Sequence, residues 1–420
     1  MPEETVARPD TELQSEPSDI ENRTVARDAL PEELTPAEIL VMLTDAESGD
    51  MGPLQRLFEF MRERDTELDT HLRTRSLSVL NLPREVIAAD DSSEAMKLAE
   101  EVEVALAAIP NFTEALGDVL DAVGKGFSVV EIEWETSESE WRPARLIYRP
   151  QRWYEVGADG ETILLKGVTE SFELNPLNYI IAKMKARSGF LAGTSLLRAC
   201  LRPFIVRFYG WKDWVQFAEI FGTPWRVGTL PPDTLYDSEL GRTMWQMIVG
   251  MGNNAAALIP DGARVEAQFP GVGGGELYER MLDMAAREMA KAVLGQTLTS
   301  SGEGGGSYAL GQVHERVRFD IQEADAQLLS HVITEQLVKP IVLLNHGATE
   351  VMPHYSIQAQ EPKDLGELAI VVSTLSKAGQ PIGQQWVSDA FGIPLPAEGE
   401  EVLTAPTPAP APGGAAFPFA

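Results

Sequence analysis

The sequence predicts an α+β fold. Helical periodicity dominates to about residue 123, the period switches to strict alternation near Phe127, and a helix, a small α/β insertion, a second helix, a glycine-rich stretch and a long helix then follow in order. The chain has 420 residues and is 44% hydrophobic, so it can bury a large core and hold two or three domains.

The first fifty residues carry fourteen Asp or Glu against three Arg, and no apolar period is sustained before Ile39-Leu40-Val41-Met42-Leu43. Residues 1–34 therefore read as a disordered acidic arm. Thr35, with Pro36 next and Glu38 three residues on, is the capping-box pattern that opens a helix, and Leu54, Leu57, Phe58 and Met61 carry a second one. Residues 35–123 read as mainly helical. Beyond Phe127, Val130, Ile132 and Trp134 fall on one face and Glu131, Glu133 and Glu135 on the other, the pattern of a half-buried strand. Residues 144–148, 153–156 and 162–165 add strands to a small antiparallel sheet, with Gly157-Ala158-Asp159-Gly160 as the turn between the last two.

Helical character returns from about Thr194 to Phe221, inside the one clearly basic stretch: residues 183–226 hold eight Lys or Arg against Asp213 and Glu219. A strand at 225–230, a turn at Pro231-Pro232-Asp233, a short helix near 240–249 and strand-like pieces at 255–259 and 264–269 make a compact α/β insertion. A helix over 276–294 follows, with Leu277, Met281, Ala285, Met289 and Val293 on one stripe. Residues 295–311 carry five glycines from Gly302 to Gly311 and read as a mobile loop. Val313, Val317, Ile321, Ala324, Leu328, Val332 and Ile333 then mark a long amphipathic helix that Pro340 should kink or restart. Residues 397–420, rich in Pro and Ala, read as an extended tail without a core.

Several function classes lose their support. A net charge of -30 and pI near 4.5 argue against a broad basic face that grips nucleic acid. The five histidines form no HExxH and no Cys/His cluster, so no metal site is predicted; no G-x-x-x-x-G-K-[ST] cradles a nucleotide, and no G-x-S-x-G supplies a nucleophile. Neither a cofactor nor a catalytic residue is predicted. Cys200, alone and set among apolar residues, reads as a core position. No apolar run is long enough for a membrane span, and the amino terminus lacks the order of a signal peptide, so a soluble, non-exported protein is expected. Trp211, Trp214, Phe217 and Phe221 at helical spacing read as core or subunit-interface residues ahead of a base-stacking platform. The basic stretch fits a DNA or inter-subunit face and, equally, a charged face paired with acidic neighbours.

Gly193-Thr194-Ser195-Leu196-Leu197-Arg198, then a long aromatic helix, then Phe221-Gly222-Thr223-Pro224-Trp225-Arg226-Val227-Gly228, resemble the signature of tailed-phage portal proteins. Tyr148-Arg149-Pro150-Gln151-Arg152-Trp153-Tyr154 and residues 205–228 resemble the Mu-like branch, and the similarity runs in order from about Ala37 to Leu395. The resemblance implies a phage portal fold: wing over 35–193, first stem helix over 194–222, clip over 223–274, second stem helix over 275–294, tunnel loop over 295–311, and a long helix with wing or short crown over 312–396. It implies a homo-oligomeric ring, expected to have twelve subunits, at a capsid vertex of the virion. The ring would be assembled in the host cytoplasm, with the major capsid protein, the large terminase and neck or adaptor proteins as partners, double-stranded DNA passing through, and no membrane.

On that reading Gln296, Thr297, Thr299, Ser300, Ser301, Gly304, Gly305, Gly306 and Ser307 line the constriction, with hydroxyls in place of fixed positive charge; Glu303 is its one charged residue. Arg198, Arg202, Arg207 and Lys212 are the stem candidates for DNA or inter-subunit contact. Trp225, Arg226, Asp233, Tyr236 and Trp245 are the clip candidates for docking the motor. The rivals are a DNA-processing NTPase or hydrolase, and another ring-forming head-tail adaptor.

Overall fold

The computed structural model describes Pro9 and residues 34–137, 140–167, 170–221, 226–231, 234–250, 256–260, 274–297, 308–359 and 365–396. The predicted acidic arm (Pro9 and the buried Leu34 apart), the strand at 264–269 and the Pro/Ala-rich tail lie outside the described residues. Residues to Ala359 form one unit and those from Gln360 a second.

The first unit opens with α1 (Pro36–Glu47), α2 (Gly52–Arg64) and α3 (Thr66–Leu80). Thr35 closes the expected capping box, its hydroxyl accepting from the Glu38 N–H while the Glu38 carboxylate accepts from the Thr35 N–H at 2.7 Å. Leu54, Leu57, Phe58 and Met61 of α2 are fully buried, each contributing about 1.5–3 kcal/mol of hydrophobic stabilisation. Then come β1 (Arg84–Ile87), α4 (Ser93–Ala107), α5 (Phe112–Leu120) and α6 (Ala122–Lys125). The mainly helical reading misses β1, which pairs antiparallel with β10 (His354–Ile357) far along the chain.

The expected single sheet resolves into two. β2 (Phe127–Ser137) lies between β3 (Glu140–Arg149) and β7 (Tyr179–Lys183), and β4 (Tyr154–Val156), β5 (Ile163–Leu165) and β6 (Phe172–Glu173) form a separate three-stranded sheet. β2 is also more than half-buried. Val130, Ile132 and Trp134 enter one core with α4, α5 and the later helices, whereas Phe127 and Val129 enter another with α2, α3 and residues 197–204. Glu131 therefore lies on a covered face. It is held there by Arg149 at 2.7 Å and the Tyr179 hydroxyl at 2.9 Å.

Side-chain carboxamides occupy the edges of this first sheet. Asn111 accepts from the Leu146 N–H and donates to the Leu146 carbonyl, and Asn345 does the same at Trp141, both on β3. Gln336 treats Ile181 of β7 likewise, at 2.6 and 2.9 Å.

Next come α7 (Leu197–Phe221), β8 (Arg226–Leu230), α8 (Glu239–Gly250), β9 (Ala256–Pro260) and α9 (Gly274–Leu294). β8 and β9 are parallel and joined through α8, so the predicted insertion is a β-α-β unit. α10 (Tyr308–Ile333) takes residues 308–311 as its first turn, out of the predicted loop. Ala324 faces outward; the inward side carries Asp325, Ala326, Leu329, Val332 and Ile333. α10 gives way to one π-helical turn, Thr334–Val338, and α11 (Lys339–His346) starts anew with Pro340 in its first turn. The second unit holds α12 (Leu365–Lys377) and α13 (Gln384–Phe391); Leu365, Ile370 and Trp386 on these helices, and Ile393 just beyond them, are exposed.

Candidate functional site

α7 and α9 pack side by side, and small residues set how closely. At Gly210 of α7 a Cβ would meet the Met281 Cε at 2.9 Å and the Leu282 Cδ2 at 3.0 Å, so glycine permits the approach. Phe217 and Tyr278 extend the pair outward, ring centroids 5.7 Å apart. At its root Arg207 is buried, donating Nε to the Asp65 Oδ2 at 2.7 Å and reaching the Leu282 carbonyl at 3.4 Å. Asp65 also caps α3, its Oδ1 accepting from the N–H groups of Glu67 and Leu68 at 3.0 and 3.1 Å.

The α9 stripe divides. Ala285, Met289 and Val293 are buried, but Leu277 is 69% exposed, and Met284 beside the stripe is 68% exposed. On α7, Trp211 and Val215 are 52% and 54% exposed. Trp211 stands over Trp214 at 5.3 Å. The outer half of the helix pair thus carries an apolar stripe on each helix that none of the described residues covers.

The basic stretch is partly consumed within the chain. Arg198 donates to Glu47 at 2.7 Å and to the Ala192 carbonyl at 2.9 Å; Lys185 pairs with Glu161 at 2.6 Å; Arg187 donates to the Gly193 carbonyl at 2.7 Å. The structure places Arg207 in the interior, a correction to its candidacy for DNA or subunit contact, because its guanidinium is already committed to Asp65 and α9. Arg202 and Lys212 remain on the exposed side of α7. In the insertion, Tyr236 and Trp245 are exposed; Arg226 begins β8; Trp225 and Asp233 lie outside the described residues.

Of the predicted loop, Gln296 and Thr297 are described; Thr299, Ser300, Ser301, Gly304, Gly305, Gly306 and Ser307 lie outside the described residues. α9 ends at Gly295, left-handed at φ +68, where a Cβ would meet the Ile321 Cδ1 at 2.9 Å and the Val317 Cγ1 at 3.0 Å on α10. Gly295→Ala is expected to cost roughly 1–3 kcal/mol through backbone strain and overpacking, seen as a lower urea midpoint. Gln296 is buried beside this turn.

Arg75 and Asp325 join the two helices that flank this segment, and sequence reasoning missed both. Their signal was slight: an acid on the buried side of α10's apolar period and an arginine midway along α3. Among the described residues no group of three or more His, Cys, Asp or Glu side chains converges as a metal site would require, and no helix is long and apolar enough to cross a membrane.

The family model described as the portal protein of Mu bacteriophage matches residues 55–393. Mu-like prophage FluMu protein gp29 of Haemophilus influenzae is 31% identical over 379 residues, covering 88% of this chain and 72% of that protein. The portal protein of Escherichia phage Mu is 30% identical over 377 residues, covering 88% and 73%. In fold, the chain is similar to one in the virion of a native gene transfer agent particle, with TM-score 0.54, 14% identity and coverage of 86% of this chain and 99% of that one. A chain in the neck of that native particle, computed with C12 symmetry, gives TM-score 0.52 at 16% identity, covering 85% and 98%. The enzymatic rival and the separate head-tail adaptor are thereby set aside. The chain belongs to the family of Mu bacteriophage portal proteins, non-enzymatic subunits of the virion that form the ring at a capsid vertex.

Proposed function

We propose that copies of this chain close a ring through the outer halves of α7 and α9, and that the ring is the conduit for DNA during packaging and ejection. The observation that carries it is the pair of uncovered apolar stripes, Trp211 and Val215 on one helix and Leu277 and Met284 on the other. A heterologous contact, one stripe of each copy against the other stripe of the next, repeats until the rotation closes. The C12 symmetry used for the neck of a structurally similar particle supports twelve copies.

In this reading residues 35–193 are wing, α7 and α9 stem, 223–274 clip and 295–307 the tunnel loop. The loop brings Thr297, Thr299, Ser300, Ser301 and Ser307 to the channel without a Lys or Arg, and the chain's net charge is -30. Phosphates are repelled or weakly solvated there, so DNA slides instead of settling into wells. Gln296 and the glycines 304–306 complete the constriction; Arg202 and Lys212 face DNA or the next subunit. The clip, with Tyr236 and Trp245 exposed and Trp225, Arg226 and Asp233 nearby in sequence, receives the large terminase, and neck proteins take its place after packaging. Wings meet the major capsid protein, and assembly takes place in the host cytoplasm.

Mass photometry of the purified chain is expected to show closed rings. Deleting 300–306 should leave rings intact and impair DNA retention by assembled particles. Monomers alone at micromolar concentration across several salt conditions would count against the ring; loss of the ring on the deletion would move the loop to a subunit interface.

A further inference from the structure

We propose that Arg75, on α3, is the positioning residue that fixes the end of α9, which leads into residues 298–307, against the body of α10. One guanidinium serves three acceptors on two helices. Nε and NH2 reach the two carboxylate oxygens of Asp325 on α10 at 2.7 and 2.9 Å, and NH1 donates to the Val293 carbonyl on α9 at 2.8 Å. Both side chains are largely buried, 18% and 10% exposed.

Val293 is the next-to-last residue of α9, so its carbonyl belongs to the turn that has no partner within the helix. A cation placed there satisfies that carbonyl and meets the negative end of the helix dipole. The same cation neutralises Asp325, which would otherwise be a carboxylate buried beside Ala326 and Leu329. Gly295, hydrogen-bonded back to the Lys291 carbonyl at 3.1 Å, leaves no room for a Cβ against Val317 and Ile321, so the exit of α9 is seated close on α10. The planar fork is what makes this possible: a lysine ammonium is a single point charge and cannot span the carboxylate and the carbonyl in fixed geometry. The inference rests on reading 295–307 as the conduit loop, and it adds that α3 sets the seat of that loop.

The test is a distance measurement between spin labels at Lys291→Cys on α9 and Arg318→Cys on α10, both exposed in the chain. Native Cys200 stays in place, because burial pushes its thiol up to about 12 and keeps it from labelling. The otherwise unaltered chain should give one narrow distance. Arg75→Ala and Arg75→Lys should both broaden it to about twice the width, while rings still form, as the released end of α9 samples separate positions along α10. Asp325→Asn, which keeps the Val293 contact, should broaden it less. An unchanged distribution in Arg75→Lys and Asp325→Asn overturns the proposal, and these two variants carry the test should Arg75→Ala not fold. DNA retention separates the two ideas: broadened distances with normal retention uphold the clamp and defeat the conduit reading of the loop, whereas reduced retention with unchanged distances defeats the clamp.

Discussion

Trp211→Glu combined with Met284→Glu is expected to convert the ring to monomers while leaving the fold of each subunit intact. Both side chains are more than half exposed in the single chain, so their loss takes little from its core. Across a closed subunit contact they are covered, and glutamates there would forfeit the buried apolar area and desolvate a charge. The cost is about 3 kcal/mol or more per contact, a loss of roughly a hundredfold in each association. Because every subunit repeats the contact, the whole ring responds. Mass photometry reads the assembly and thermal melting reads the fold; rings that persist alongside an unchanged melt would show that the stripes are not the interface.

Asp65→Ala should be among the most destabilising single substitutions in the chain. It strands the buried guanidinium of Arg207, a change that typically costs about 3–5 kcal/mol, and it removes the cap of α3, worth about 1 kcal/mol. Set against a total stability that is commonly about 5–15 kcal/mol, this leaves little margin. Asp65→Asn keeps one oxygen for the cap but sets an amide NH2 against the Arg207 guanidinium where Oδ2 had accepted, so it should retain the cap's share and still lose most of the ion pair's. Urea midpoints of the two variants provide the comparison. A cost below about 1 kcal/mol for Asp65→Ala would mean that Arg207 finds water or another acceptor, contrary to its burial.

Signals carried within a few residues were legible before the structure. The capping box at Thr35, the α2 stripe, the alternation of β2 and the helix-insertion-helix order all depend on local chemistry, and they emerge at or within a few residues of the expected places. What depends on partners distant in sequence was not legible. Asp65 and Arg207 are 142 residues apart, Arg75 and Asp325 250, and no pattern at either end announces the other. Glu131 looked like a solvent-facing residue because alternation reports that the two faces differ, not that a second core covers the polar one. The outer half of the α9 stripe shows the converse: the apolar periodicity continues to Leu277, yet the chain's own core takes only Ala285, Met289 and Val293. The basic stretch was ambiguous for a similar reason. Composition counts its cations, but only the fold reveals that Arg198 and Arg207 already hold carboxylates.

The three carboxamides on the β3-β2-β7 sheet bear on how a crowded assembly avoids the wrong product. A ring holds many identical copies at very high mutual concentration, the condition under which open strands recruit one another and chains add end to end. Asn111, Asn345 and Gln336 each mimic a passing backbone, answering both the donor and the acceptor of one edge residue. An incoming strand would have to displace them before gaining anything. In the proposed ring, contact between neighbours is then left to side chains on helices, whose fixed angle can return to its starting point, and not to sheet extension, which has no built-in last member.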